Sequence, residues 1–136
     1  TYLEGNYCRS SLMWAMLKTA GTWIEDWRSD VKFGAAVAGA SLDVQLTAPK
    51  AWKGLLHFDY PRHRMNLGLR LDYPRINQFP QWYTVEPARL HQVTIDGVSQ
   101  GIVLGDELVK GLAIDIGAGK TVKVTVTPLA GPPYGK

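Results

Sequence analysis

Hydrophobic and polar residues alternate through most of the chain after Val31, and this period of two predicts β-strands. The clearest case is Ser41–Ala48, where Leu42, Val44 and Leu46 alternate with polar residues, as in a strand with one buried face. Further strands are predicted at Val31–Ala38, Lys53–Tyr60, Met65–Leu71, Gln92–Ile95, Gly101–Leu104, Gly111–Ile116 and Thr121–Thr127, with extended chain at Trp82–Val85. Short strands separated by turns, without intervening long helices, favour an antiparallel β-sandwich.

A helical pattern precedes the strands and covers Tyr7 to about Ala20. Asn6 is a candidate N-cap, and Gly21 is a candidate stop because glycine adopts the left-handed cap conformation at little cost. One apolar stripe consists of Cys8, Leu12, Ala15, Met16 and Thr19, and Trp14 lies outside it. A helix that is apolar on two sides needs cover on two sides. The cover comes either from further chain or a partner subunit, or from a loop of the same domain over Trp14.

These patterns divide the chain into residues 1–30, an N-terminal helix and connector, residues 31–128, the β-sandwich, and residues 129–136, a flexible tail rich in proline and glycine. In the connector, Trp23 and Trp27 are four residues apart, a spacing that would allow them to pack together on a short helical turn, and core packing is the default expectation for both. The division predicts a mainly β protein with one N-terminal α-helix.

Composition narrows the possible partners. The net charge is +3, and the basic residues are spread along the chain, which argues against nucleic acid as a partner. The longest purely apolar run of the helix, Leu12–Leu17, is far too short to span a membrane. Cys8 is the single cysteine, so no internal disulfide can form, and its place on the helical stripe predicts a core position.

The segment Gly117–Thr121, Gly-Ala-Gly-Lys-Thr, imitates the end of a phosphate-binding P-loop. The full motif requires glycine at position 114, where this chain has Ile114, and a helix after the loop. A strand pattern follows instead, so we interpret the segment as a hairpin turn.

The segment from His57 to Val85 is richer than any other in side chains that can bind a ligand. Within it, Asp-Tyr-Pro-Arg occurs at Asp59–Arg62 and again at Asp72–Arg75. Proline stiffens each copy, and the intervening strand is expected to place the copies at opposite ends of a hairpin arm. The candidate ligand-binding residues are Arg62, His63, Arg75, Asn77, Trp82 and Tyr83. Arginine offers bidentate binding to carboxylates. For a single arginine, pairing with Asp59 or Asp72 is the simpler use.

Aromatic side chains extend this surface, since Trp52, Tyr73, Trp82 and Tyr83 offer flat faces for stacking on sugars, and neighbouring arginines suit an acidic sugar. The commoner alternative is that Trp52 and Trp82 plug the ends of the sandwich. No catalytic residue is assigned, although His63 with Asp59 or Asp72 remains a conceivable acid–base pair. The histidine spacing predicts no metal site, and no cofactor is expected.

Three stretches resemble a group of known proteins: Asn6–Trp27, the pattern W-x-G-x-L-x-F-D-x-P-R-H at Trp52–His63, and D-Y-P-R-I-N-x-F-P-x-W-Y-T-V at Asp72–Val85. The first resembles the last helix of the (α/α) toroid in certain bacterial polysaccharide-degrading enzymes, of the glycoside hydrolase or lyase type. The other two resemble the β-sandwich that closes those chains.

The resemblance implies that this chain is a carboxy-terminal accessory segment, since the catalytic residues of such enzymes lie largely in the toroid. The expected partners are a catalytic toroid domain or another copy of the chain, and an acidic glycan, with no nucleic acid and no membrane. An exported or periplasmic location follows if the protein is carbohydrate-active. The alternative is a stand-alone protein- or glycan-binding or assembly module without a catalytic parent.

Overall fold

Strands are the main secondary structure in the computed structural model, which describes residues 5–69 and 82–130 of the chain. The strands are β1 (Trp23–Glu25), β2 (Lys32–Ala38), β3 (Ser41–Ala48), β4 (Trp52–His57), β5 (Leu90–Ile95), β6 (Val98–Leu104), β7 (Leu112–Ile116) and β8 (Lys120–Pro128). The helices among the described residues are α1 (Gly5–Lys18), α2 (Arg62–Leu67) and α3 (Gly105–Lys110).

The strands form two antiparallel sheets. Sheet A has three strands in the order β1-β4-β7, and sheet B has five in the order β2-β3-β8-β5-β6. Hairpins join β2 to β3 and β5 to β6, and β8 inserts between the two hairpins as the central strand of sheet B. The predicted fold class, a mainly β antiparallel sandwich preceded by one N-terminal helix, is confirmed.

The core forms where the apolar faces of the two sheets meet in one cluster. Sheet B contributes the inward positions of its two central strands, in the cross-strand pairs Leu42–Val126, Val44–Val124 and Leu46–Val122. Sheet A contributes Trp52, Leu56, Ile114 and Ile116. The period-two pattern therefore identified the buried face correctly, because successive strand residues point to opposite faces.

The strand predicted at Met65–Leu71 is wrong over its described residues, because Arg62–Leu67 forms helix α2. The carbonyl of Pro61 accepts hydrogen bonds from the amides of Arg64 and Met65, at 3.1 and 3.0 Å, and so opens the helix. Proline has the backbone angle required at a helix start, and this local preference prevailed over the alternation of Met65 with Leu67. Helix α3 is a further element that the pattern did not predict.

The turn at Gly117–Gly119 is present, but it does not close a hairpin. Strand β7 belongs to sheet A and strand β8 to sheet B, so the turn carries the chain from one sheet to the other. Gly119 has a φ of +69°, and its amide donates to the carbonyl of Ala48 at 2.9 Å. A strand follows, as expected, so the resemblance to a P-loop has no structural counterpart.

Helix α1 ends at Lys18 in a Schellman-type cap. The amide of Gly21 donates to the carbonyl of Met16 at 2.9 Å, and the amide of Ala20 donates to the carbonyl of Leu17 at 3.3 Å. Both Ala20 and Gly21 have positive φ angles, 48° and 81°, so the left-handed stop begins one residue before the predicted Gly21. The proposed N-cap is wrong, since Asn6 lies inside the helix.

The body of α1 is not covered by the sandwich. Every side chain from Tyr7 to Ala15 is exposed, and the exposed fraction of Trp14 is 61%. Cys8 is also exposed, so its predicted core position is wrong, and no loop among residues 5–69 and 82–130 covers Trp14. No helix in the described part of the chain is long and apolar enough to cross a membrane.

His91 is a titratable group in the interior, and it should make the fold sensitive to mild acid. It is 1% exposed, its Nδ1 lies 3.0 Å from the carbonyl oxygen of Arg89, and burial lowers its pKa. The unfolded chain therefore binds a proton more readily than the folded chain. The stability contributed by neutral His91 is complete above a pH of about 6.5 and is lost as the pH falls towards the lower pKa of the folded state.

We expect the free energy of unfolding in urea to decrease between about pH 7.5 and pH 5.5 more steeply in the wild type than in His91→Asn. Asparagine keeps an amide donor near the position of Nδ1 and has no charge to gain. The measurement is urea unfolding followed by circular dichroism at both pH values. Equal pH dependence in the two proteins would show that His91 does not titrate with folding.

Candidate functional site

The first Asp-Tyr-Pro-Arg copy forms a closed turn after β4. The residue Asp59 is 4% exposed, and its Oδ1 accepts hydrogen bonds from the amide of Tyr60 and from Nε of Arg62, both at 2.9 Å. The guanidinium carbon of Arg62 lies 5.6 Å from the centre of the Tyr60 ring. The Asp59 carboxylate therefore forms these hydrogen bonds within the turn, whereas the Arg62 side chain remains 55% exposed to solvent.

The segment that begins at Trp82 lies beside this turn. A parallel bridge pairs Asp59 with Thr84, and the amide of Val85 donates to the carbonyl of Asp59 at 2.8 Å. Helix α2 is tied to the same segment by an ion pair between Arg64 and Glu86 at 2.6 Å. Residues that are more than 20 positions apart in the sequence therefore meet at one end of the sandwich.

Trp82 packs against the cap of α1. The amide of Tyr83 donates to the carbonyl of Ala20 at 3.1 Å, which places the indole of Trp82 directly over Gly21. A Cβ atom at Gly21 would overlap this indole, so the close approach requires glycine. The Trp82 side chain thereby joins the end of the helix to the sandwich.

Tyr83 points its hydroxyl into the protein. The oxygen lies 3.4 Å from the carbonyl of Ala40 and 3.5 Å from that of Val126, and the ring packs on the core cluster. Burial raises the pKa of the phenol to about 12, so the hydroxyl stays protonated at neutral pH and can donate to these carbonyls. Tyr83 as a whole is half-buried.

The structure therefore brings three of the sequence-predicted ligand residues, Arg62, Trp82 and Tyr83, onto two adjoining segments. Residues Arg75 and Asn77 lie outside the described residues, as does the whole second Asp-Tyr-Pro-Arg copy. His63 lies in α2, and its side chain is also outside the description. A ligand role for the six residues stays a prediction.

The expectations about tryptophan have different outcomes. Trp52 is 3% exposed and its Nε1 donates to the carbonyl of Asp26 at 2.9 Å, so it is a core residue and not a sugar-stacking surface, in agreement with the commoner of its two alternatives. Trp23 and Trp27 do not share a helical turn, because Trp23 belongs to strand β1. Trp27 is instead 74% exposed.

A second cluster, centred on His57, was not anticipated. The ring of Trp23 stacks on the imidazole at 5.0 Å with an interplanar angle of 3°, and Nε2 lies 2.9 Å from Oε2 of Glu25. The other nitrogen, Nδ1, lies 3.1 Å from the carbonyl oxygen of Val109. A carboxylate and a carbonyl only accept, so both bonds form together when the ring carries two protons. In the sequence, the residue that could have indicated this cluster is Trp23, but its strand, β1, is too short to recognise from the pattern of apolar residues.

Metal-ligating geometry is not found in the part of the chain that the structure describes, where no group of three or more histidine, cysteine, aspartate or glutamate side chains could hold an ion. Among the described residues, the site consists of an arginine side chain, aromatic rings and a turn whose carboxylate forms hydrogen bonds within the turn.

The contact between Trp82 and Gly21 can be measured with a matched pair of glycines. We expect Gly21→Ala to lower the free energy of unfolding by more than about 2 kcal/mol, because the new methyl both strains a left-handed residue and displaces the indole. Gly39 has a φ of +62° and no atom within 4 Å of a built Cβ, so Gly39→Ala should cost only about 1 kcal/mol.

Urea unfolding of the two variants provides the comparison. In a Trp82→Ala background, Gly21→Ala should cost less than it does in the wild type, since the ring that the methyl displaces is then absent. Equal costs for the two glycine substitutions would contradict the packing of Trp82 on the helix cap.

Comparison with known proteins does not assign this chain to a family. No family model matches the chain, and searches of curated proteins and of solved structures give no match.

Proposed function

We propose that this chain is a non-catalytic accessory β-sandwich of a polysaccharide-degrading protein, and that it packs on the catalytic domain through helix α1. The observation that carries the proposal is the exposure of α1. Its large apolar side chains are Tyr7, Leu12, Met13, Trp14 and Leu17, with exposed fractions of 70, 62, 40, 61 and 45%.

A helix of this length is only marginally stable in water when nothing covers it. Isolated helices of fewer than about 12–15 residues are marginal even in favourable sequences, and α1 has 14 residues. Burial of one large apolar side chain contributes about 1.5–3 kcal/mol. Covering α1 with a protein surface would therefore stabilise the helix and remove an exposed apolar patch.

The type of partner is proposed from the pattern on the helix. Apolar residues lie on more than one side of α1, which is the pattern of a helix enclosed by other helices. The segment Asn6–Trp27 resembles the last helix of a catalytic (α/α) toroid, whose neighbouring helices would supply this enclosure. The sandwich would then be attached rigidly, because Trp82 joins the helix cap to sheet B through the Tyr83 segment.

The glycan part of the proposal rests on the surface around the Asp59 turn. The residues proposed to face the glycan are Arg62, His63, Arg75, Asn77, Trp82 and Tyr83. Arg62 supports this role most directly, since its guanidinium is half-exposed and is held in place by Asp59 and Tyr60. A guanidinium held in one orientation loses little entropy when it binds a carboxylate.

A second candidate function is a stand-alone assembly module in which α1 packs on another copy of the chain. The same exposed apolar side chains favour it, because a two-fold axis would bury two equivalent faces together. The two functions differ in what covers the helix, and Cys8 provides a direct probe since it is exposed on α1.

We expect a maleimide to label Cys8 rapidly in the isolated chain and slowly in the complete natural protein. Replacing Leu12 and Trp14 with lysine should restore rapid labelling in the complete protein, because two charges cannot be buried without a large cost. The matched control is Val98→Lys, which adds a charge at a residue 64% exposed on the far hairpin of sheet B. Mass spectrometry after timed quenching follows the reaction.

Equally rapid labelling of Cys8 in the complete protein would contradict docking through α1. Light scattering at increasing concentration of the isolated chain separates the second candidate. A stable dimer in which Cys8 becomes protected would favour self-assembly, and a monomer with accessible Cys8 would exclude it.

The carbohydrate part has its own test, the depolymerisation of acidic and neutral polysaccharides by the complete protein. We expect Arg62→Ala with Arg75→Ala to weaken glycan binding and to leave the labelling of Cys8 unchanged, because both substitutions retain Trp82, which packs on the cap of α1. A complete protein that neither cleaves nor binds any polysaccharide would overturn this part of the proposal.

A further inference from the structure

A groove of about 580 Å³ lies where the carboxyl end of α1 meets the outer face of sheet B. Its volume is within the range of about 300–1,000 Å³ that small-molecule sites occupy. Strand β2 forms one wall. The carbonyl oxygen of Lys18 lies close to this strand at Gly34, 3.5 Å from the position that a Cβ atom would occupy there. The groove is separate from the surface around Asp59.

The floor of the groove follows from strand register. Lys32 pairs with Thr47, and Gly34 pairs with Gln45, which in turn pairs with Lys123. These residues point away from the core, since Val44 and Leu46 between them are buried. Gly34 has no side chain, so the backbone of β2 and the amide of Gln45 are open to a ligand.

The charged residues of the lining are three lysines, Lys18, Lys32 and Lys123, and one carboxylate, Asp43. The carboxylate is neutralised, because Lys123 lies 2.9 Å from it and Thr125 donates to it at 2.6 Å. The hydrogen bond from Thr125, followed by that from Lys123, lowers the pKa of Asp43. Two positive charges remain, and among the described residues neither Lys18 nor Lys32 forms an ion pair.

The end of a helix normally repels an anion, but here this effect is reduced. The carbonyls of Ala15, Met16 and Leu17 in the last turn of α1 accept hydrogen bonds from the cap amides and from the hydroxyl of Thr19. The ammonium of Lys18 lies 4.4 Å from the ring centre of Trp14, one helical turn earlier. A lysine in the last turn of a helix also opposes the negative end of the dipole.

From this arrangement we infer that the groove binds an anionic oligosaccharide whose sugar rings carry carboxylates. Lys18 and Lys32 would pair with carboxylates, and Gln45 and Thr47 would hydrogen-bond to hydroxyl groups. Strand β2 is an edge strand, so the open groove admits an extended chain and not only a single ring. The inference rests on the proposed function in naming its ligand class, and it adds a site remote from the Asp59 turn.

Nucleic acid fits the groove less well. Phe33 is the aromatic residue of the described lining and packs against the core, so the lining offers no series of rings on which successive bases could stack. The lining contains lysine as its positive residue and lacks the planar fork with which arginine binds phosphate.

Calorimetric titration of the 136-residue chain tests the inference. The probes are a hexamer of galacturonic acid, a neutral glucose hexamer and a single-stranded oligonucleotide. We expect the uronate alone to bind, with affinity that falls as salt is added. Lys32→Gln with Lys18→Gln should weaken binding about tenfold or more, since each removes a charge-assisted hydrogen bond.

Two further variants make the test specific. Gly34→Glu places a carboxylate in the groove, where its Cβ would be in ordinary contact with the carbonyl oxygen of Lys18 at 3.5 Å, and it should abolish uronate binding. The control is Lys53→Gln on sheet A, whose exposed lysine pairs with Asp115 at 2.7 Å, and binding should not change. Thermal melting checks that each variant remains folded.

The inference is overturned if the uronate does not bind, if the neutral hexamer binds as well, or if Lys53→Gln weakens binding as much as the groove variants. Tighter binding of the oligonucleotide would assign the groove to nucleic acid and would also overturn it. These results do not depend on Cys8 labelling, so the groove and the docking of α1 succeed or fail separately.

Discussion

The pairing of β3 with β8 is the constraint on which the rest of the fold depends. These strands are more than 70 residues apart in the sequence, yet they lie side by side at the centre of sheet B. Three buried cross-strand pairs of leucine and valine join them and form the sheet B side of the core. The β2–β3 and β5–β6 hairpins are both positioned by β8, and the turn at Gly117–Gly119 then carries sheet A onto the same core. Closing so long a loop costs entropy, which burial of these pairs must offset.

Helix α1 follows a different rule from the strands. Its sequence forms a helix and its cap is well built, but its apolar side chains find no cover in the sandwich. It is held at the carboxyl end, where Trp82 packs on Gly21 and where Lys18 approaches Gly34. The same junction shapes the groove on the outer face of sheet B. The helix therefore links two proposed interactions, docking along its length and anion binding at its end.

The motif that most resembled a binding site is used partly for folding. Asp59 closes its own turn, supports Arg62 and pairs with Thr84, so a carboxylate that suggested acid–base chemistry is a buried structural group. What remains available at the surface is the guanidinium of Arg62. The groove on the outer face of sheet B is the opposite case, a candidate binding site that no sequence motif indicates. Its lysines at positions 18, 32 and 123 are far apart in the sequence and come together only in the fold.

The sequence by itself determined the fold class, the buried face of the strand at Ser41–Ala48, the helix at the start of the chain and its glycine-containing stop. These features follow from the period of apolar residues and from backbone preferences, which act between neighbours along the chain. It did not determine α2, where the alternation of Met65 and Leu67 competed with the helix start at Pro61. Only the tertiary structure decided that β8 separates two hairpins, that Trp52 is buried while Trp14 is exposed, and that three distant lysines share one groove. Contacts between segments that are distant in the sequence depend on which apolar surfaces meet. A local pattern of apolar residues does not specify which distant segment it will pack against.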